Sequence, residues 1–114
     1  MALDVQPIPR PEWTPLPFEG CLNVDGKVLL KLPHLSLALL QFAAGATIHE
    51  HPADIDIDVI CLEGHGMTSV DGIAAELHAS EQVRWPAGVA HKLWTEDSTM
   101  VTLMVEHYPA RAGD

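Results

Sequence analysis

Short runs rich in apolar and β-branched residues, bounded by Gly, Pro, Asp and Ser, fill the chain from Leu22 to Tyr108. Runs of this length with turn residues between them read as strands. Asp25-Gly26 and Asp71-Gly72 are hairpin dipeptides, since Asp and Gly tolerate the positive φ that tight turns require. They are expected to join Leu22–Val24 to Lys27–Leu32, and Met67–Val70 to Ile73–His78. Between them, Leu35–Phe42 is followed by a turn at Ala43-Ala-Gly45 and a strand through His49 and His51. Ile55–Leu62 is turned by Glu63-Gly-His-Gly66, and short strands follow at Gln82–Trp85, Ala90–Thr95 and Met100–Tyr108. That makes about ten short strands and no convincing helix, the pattern of an all-β sandwich or barrel.

The first twenty residues are of a different kind. Pro7, Pro9, Pro11, Pro15 and Pro17 block helix and favour an extended chain. Trp13 and Phe18 punctuate this stretch, and exposing both is costly, so the arm is expected to lie against the barrel or a neighbouring subunit. The reading is a Pro-rich N-terminal arm over residues 1–20 and a β-barrel domain over 21–114. At 114 residues the chain is long enough for one core and too short for two.

Charge narrows the partners. A formal net charge of −10 argues against nucleic acid and anionic membrane surfaces. The longest apolar stretch, Leu35 to Ile48, is interrupted by Ser36 and Gln41 and is too short to span a bilayer. The beginning of the chain has neither a basic segment nor an apolar one, so the expected location is cytoplasmic. Cys21 and Cys61 then read as reduced thiols rather than a disulfide.

Candidate chemistry sits in the histidines, of which there are seven. His49 and His51 stand two apart in Gly45-Ala-Thr-Ile-His-Glu-His, and residues i and i+2 of a strand share a face. His91 closes Pro86-Ala-Gly-Val-Ala-His, where Pro and Gly supply a sharp turn able to deliver a third imidazole. Three neutral imidazoles facing one point would suit a single divalent transition metal: Fe, Zn, Ni, Mn or Cu.

These motifs resemble those of the cupin superfamily, in particular its small single-domain, RmlC-like jelly-roll members. The first cupin motif reads G(x)5HxH(x)3–4E(x)6G and the second G(x)5PxGxxH(x)3N. Here Gly45-(x)3-His49-x-His51 leads to Cys61-Leu-Glu-Gly64, and Pro86-Ala-Gly88-Val-Ala-His91 is intact. Ser80 and Thr95 replace the Gly and Asn of the second motif. The resemblance implies an acidic fourth ligand. Counted forward from His51 it is Asp56; counted back from Gly64 it falls on Ile57. Strand alternation puts Ile57, Val59 and Cys61 on one face and Asp56 and Asp58 on the other, so Asp56 becomes a ligand only if a bulge turns it inward.

The resemblance also implies a function. Cupins with such ligands include dioxygenases acting on diketones, flavonols and thiols, so one reading is an Fe(II)-type dioxygenase-like enzyme. The arginines are Arg10, Arg84 and Arg111, and Arg84 alternates outward with Val83 and Trp85. The expected substrate is therefore a small, weakly charged organic molecule. His107, taken to share an inward face with Val101, Leu103 and Val105, is the candidate general base. The alternative is a non-catalytic sensor or structural module that binds metal or ligand. Either way a homodimer is expected, because the sheet edges and the Trp-bearing arm leave surface to hide.

Overall fold

The computed structural model describes residues 3–109; residues 1–2 and 110–114, Arg111 among them, lie outside it. Eight strands follow in order: β1 Arg10–Pro15, β2 Cys21–Lys31, β3 Leu35–His51, β4 Asp56–Val70, β5 Ile73–His78, β6 Gln82–Trp85, β7 His91–Trp94 and β8 Met100–His107. No helix is present among the described residues, so none is long and apolar enough to cross a membrane.

Two long strands organise everything else. The first half of β3 pairs antiparallel with β8, Leu35 opposite His107 and Phe42 opposite Met100. The first half of β4 takes the other edge of β8, from Asp56 opposite His107 to Gly64 opposite Met100. The second halves are joined by β7, which pairs Thr47 and Met67 with Trp94, and His51 and Val70 with His91. The ring β3–β8–β4–β7 thus closes into a barrel. The strands β1 and β2 extend it beyond β3, while β5 and β6 flank β4.

Three expected turns are not turns, which merges the ten expected strands into seven, and β1 in the N-terminal segment makes eight. Asp25-Gly26 lies inside β2, whose residues pair in register with Gln41 and Leu40 of β3. The positive φ in this stretch belongs to Asn23, where the register of β2 shifts. The kink at Ala43-Ala-Gly45 bends β3 without ending it, because Thr95 clamps both sides. Its hydroxyl donates to the Ala43 carbonyl at 2.5 Å and accepts from the Ala46 amide at 3.0 Å. Glu63-Gly-His-Gly66 likewise bends β4 across the end of β8. Gly64 has φ +73°, and a methyl there would lie 2.0 Å from the Thr99 carbonyl oxygen, so only glycine lets these backbones pass. Asp71-Gly72 is a true hairpin, both residues with positive φ.

The extended N-terminal segment is partly strand. Arg10 pairs with Val28 and Pro15 with Asp25, and Lys27 lies over the Trp13 ring at 4.6 Å. Proline suits such an edge, where its missing amide costs no ladder bond. Leu16 then turns inward against the core.

The core is the inward face of each strand: Leu40, Phe42 and Ile48 of β3, Ile57, Val59 and Cys61 of β4, Leu93 of β7, and Met100 and Met104 of β8. Cys61 and Cys21 are free thiols, both with pKa pushed up by burial, and Cys61 is fully enclosed. Packing accounts for Cys61 without reactivity.

Candidate functional site

The inward faces do not fill the barrel. They leave a cavity of about 540 Å³ that opens beside the segment Leu16–Glu19. Its wall is apolar: Ala38 and Leu40, Ile48, Ile57, Trp85 and Met104. Few polar groups face it: the buried His91, the half-buried Glu106, and the exposed His51, His49, Arg10 and Glu19. A concave apolar space with a few converging polar groups is the usual form of a small-molecule site.

His91 lies deepest, 1% exposed, at the start of β7. Its ring stacks flat on Trp85, with centroids 3.9 Å apart and planes 9° apart. The Trp85 indole is itself anchored, donating to the Thr68 hydroxyl at 3.0 Å, which donates to the Lys92 carbonyl at 3.0 Å. Neither ring nitrogen of His91 has a hydrogen-bond partner. Burial, reinforced by the neighbouring His51 ring, pushes its pKa down to about 4, and the Val89 backbone pulls weakly the other way without completing a bond. His91 is therefore a neutral imidazole at pH 7, with one donor and one acceptor unspent.

His51 stands directly across the ladder from His91, with ring centroids 4.7 Å apart at 68°. Its Nδ1 donates to the His49 carbonyl at 2.7 Å, which leaves Nε2 as an acceptor. Two imidazoles are thus brought together with fixed roles.

His49 does not join them. The i, i+2 rule assumes an unbroken strand, but the register of β3 against β7 shifts between Ile48 and His51. Ile48 and His51 both line the cavity as a result, while His49 lines it together with a second, more open hollow formed with Glu19 and Gly20. There its amide donates to the Gly20 carbonyl at 3.1 Å. Its Cβ lies where any side chain at residue 20 would have to go, 2.5 Å from that site. Among the described residues, no three His, Cys, Asp or Glu side chains stand close enough together to hold a metal ion.

Asp56 and His107 face away from the cavity. Asp56 accepts from the Ala87 amide at 2.8 Å and lies 3.8 Å from Arg84. Its neighbour Asp58 takes two bonds from Arg84, each 2.8 Å, and faces His107 Nε2 at 2.8 Å. The guanidinium, then His107, holds the Asp58 carboxyl down to about 2. The placement of His107 on an inward face with Val101, Leu103 and Val105 is corrected here. The inward residues of β8 are Met100, Thr102 and Met104, with Glu106 next in the same alternation. Apolar residues occupy both faces of β8, so its hydrophobic pattern carries no parity.

Glu106 is the cavity residue that sequence reasoning passed over. Burial raises its pKa, and Lys31 pulls weakly in the opposite direction. A charged residue continuing the alternation Met100, Thr102, Met104 was the available signal.

The first motif also admits a second count, in which His51 takes the place of its first histidine. With five residues after Gly45, its histidine positions fall on His51 and Ala53, its acidic position on Ile57, and its last glycine on Gly64. Every spacing is then met, and the extra residue that complicated the count from His51 disappears. Ala53 is half-buried against the core, and Ile57 lines the cavity.

No protein-family model and no curated protein matches the chain. Solved structures do. The polyketide cyclase RemF from Streptomyces resistomycificus superposes with a TM-score of 0.80 at 16% identity, covering 93% of this chain and 81% of that one. A cupin-2 domain protein from Rhodospirillum rubrum gives 0.77 at 16% identity, covering 89% and 76%. An RmlC-like cupin from Shewanella frigidimarina gives 0.69 at 21% identity, covering 78% of each chain. At these identities the likeness is one of fold.

Proposed function

By its fold the chain is a cupin, and on that premise we propose that its barrel binds a small, largely apolar organic molecule bearing a hydroxyl or enolisable carbonyl oxygen. The observation that carries this reading is His91. Both of its ring nitrogens are buried and unpartnered in the wall of an apolar cavity. A buried polar group without a partner costs about 1–3 kcal/mol, which a ligand oxygen would recover.

The chemistry of the two rings defines that oxygen. His51 Nε2 accepts, because Nδ1 is committed to the His49 carbonyl. Neutral His91 offers an N–H. A phenolic or enolic hydroxyl donates to the first and accepts from the second, while its carbon skeleton lies against Ile57, Trp85 and Met104. The same pair is equipped for general acid–base chemistry: His51 Nε2 takes the hydroxyl proton and becomes imidazolium, while the His91 N–H donates to the oxyanion left behind. Carboxylates and phosphates fit poorly: Glu19 and Glu106 line the cavity, and among the described residues its one arginine, Arg10, is exposed on β1. A neighbouring barrel that is a polyketide cyclase agrees with a pocket for small organic molecules.

The test uses the full chain and a panel of small phenols and diketones, followed by Trp fluorescence and calorimetry. Trp85 is in contact with His91, so occupancy should change its emission. Saturable 1:1 binding is expected, lost in Met104→Trp, which plugs the cavity, and weakened about tenfold or more in His91→Phe, since one well-made hydrogen bond is worth about 1.5 kcal/mol. Binding unaffected by Met104→Trp would place the ligand elsewhere and overturn the reading.

A further inference from the structure

The metal that the cupin resemblance implies finds only half of its donors in this chain. Four positions of the two motifs supply ligands in the resemblance: two histidines, an acid, and the histidine of the second motif. Here they are His51, Ala53, Ile57 and His91. Two imidazoles remain, and a methyl and a sec-butyl group stand in the other two places. Neither replacement has a lone pair to offer.

Among the described residues, no other fills the gap. His49 lines the cavity too, but it is held against Gly20 by its amide bond to the Gly20 carbonyl and by its packing there, and it forms no cluster of three with His51 and His91. Asp56 and Asp58 are committed to Ala87, Arg84 and His107 on the outer face of the barrel. Glu106 lines the cavity but does not come close enough to complete a cluster of three with the two histidines. Protein sites for catalytic zinc use three ligands plus an open position, and structural sites use four. Two ligands do not retain an ion against dilution.

We infer that this chain's centre works without a resident metal, so that His51 and His91 meet the organic ligand directly through their own nitrogens. The stacking of Trp85 on His91 fits this role. It closes one face of the imidazole and leaves its edge to select a hydroxyl by hydrogen bonding. The identity of what the two rings contact rests on the pocket reading above, while the lack of a retained ion stands or falls on its own measurement.

That measurement is a Co(II) titration of tag-free, chelator-treated protein, read by the d–d absorption of the bound ion and by metal content after gel filtration. Wild type is expected to show no 1:1 saturation at equimolar Co(II) and to emerge from gel filtration metal-free. Restoring the missing donors with Ala53→His and Ile57→Glu together should produce stoichiometric uptake, lost again when His51→Ala is added. Ala53→His alone, which buries no new charge, should give weaker uptake, and circular dichroism checks that each variant is folded. One ion retained by wild type and released by His51→Ala or His91→Ala would overturn the inference. So would a folded double variant that takes up nothing, since Ala53 and Ile57 would then not be ligand positions; if the variants do not fold, the wild-type titration decides alone. The two readings fail separately. Metal-free protein that binds no phenol or diketone contradicts the pocket reading only, and organic binding that requires the ion contradicts this one only.

Discussion

At the scale of single residues, burial decides what His91 can do. Its folded pKa of about 4 lies below the ordinary value of 6.5, so the unfolded chain takes up the proton first as pH falls. The stability tied to this group is therefore complete above pH 6.5 and drains away between 6.5 and 4, by on the order of 3 kcal/mol. Urea unfolding at pH 7 and pH 4.5 checks it. His91→Phe, which keeps an aromatic ring on Trp85 but cannot titrate, should flatten this loss. An unchanged pH dependence in that variant would show that the acid lability lies elsewhere. Glu106 acts in the opposite sense. A buried carboxyl with a raised pKa destabilises the fold once it is ionised, so Glu106→Gln should stabilise the protein at pH 7 and have no effect at low pH.

The residue scale also shows what spacing could and could not reveal. His91 is legible because Pro86, Gly88 and His91 keep their intervals across a turn, where the chain has few alternatives. His51 is legible for a different reason, since Gly45 and Gly64 bracket it at the correct distances. His49 drew attention because it stands two residues from His51. The register shift after Ile48 cancels that parity, and no composition rule announces such a shift.

Among the elements, β3 and β4 hold the barrel together, since each runs from one half of it to the other. Their bends rest on identifiable groups. Gly64→Ala should cost about 2–4 kcal/mol, combining a left-handed φ with a collision against the Thr99 carbonyl. Thr95→Ala leaves the Ala46 amide and the Ala43 carbonyl without their bridge and should cost about 1–3 kcal/mol. Thermal melts of the two variants test both figures. Turn residues were read as strand ends because Gly and Asp mark hairpins and bulges alike. What separates them is pairing on either side of the site: β4 passes from β8, which ends opposite Gly64, straight to β5 opposite His65, whereas Asp71-Gly72 closes the β4–β5 pair itself.

The N-terminal segment divides in the same way. Removing residues 1–9 leaves β1 and the cavity untouched and should change neither stability nor binding. Removing residues 1–20 takes away Leu16 and Phe18, which border the cavity, and should lower ligand affinity more than it lowers the melting temperature. Equal ligand affinity in the two truncations would show that this border plays no part in binding.

For the molecule as a whole, the all-β barrel was legible and its centre only in part. Periodicity and turn residues suffice for a fold whose long strands each present one apolar face. The cavity is a different kind of feature, because it depends on which inward positions leave space, and period-2 reading says nothing about that. Net charge argues against nucleic acid as a partner, while the proposed choice of an organic ligand over a metal turns on Ala53 and Ile57. Both are ordinary apolar residues whose significance appears only once the register of β3 against β7 is known.

The proposed function places a small organic hydroxyl directly between His51 and His91. It is tested most directly by long-range ¹H–¹⁵N NMR of the imidazole rings in chelator-treated protein titrated with a phenol found to bind. The ring nitrogens of His51 and His91 should shift together and saturate at one equivalent, with His49, His65 and His107 unmoved and no metal added. Saturable binding that leaves both rings unshifted, or that begins only when a divalent ion is supplied, would contradict it.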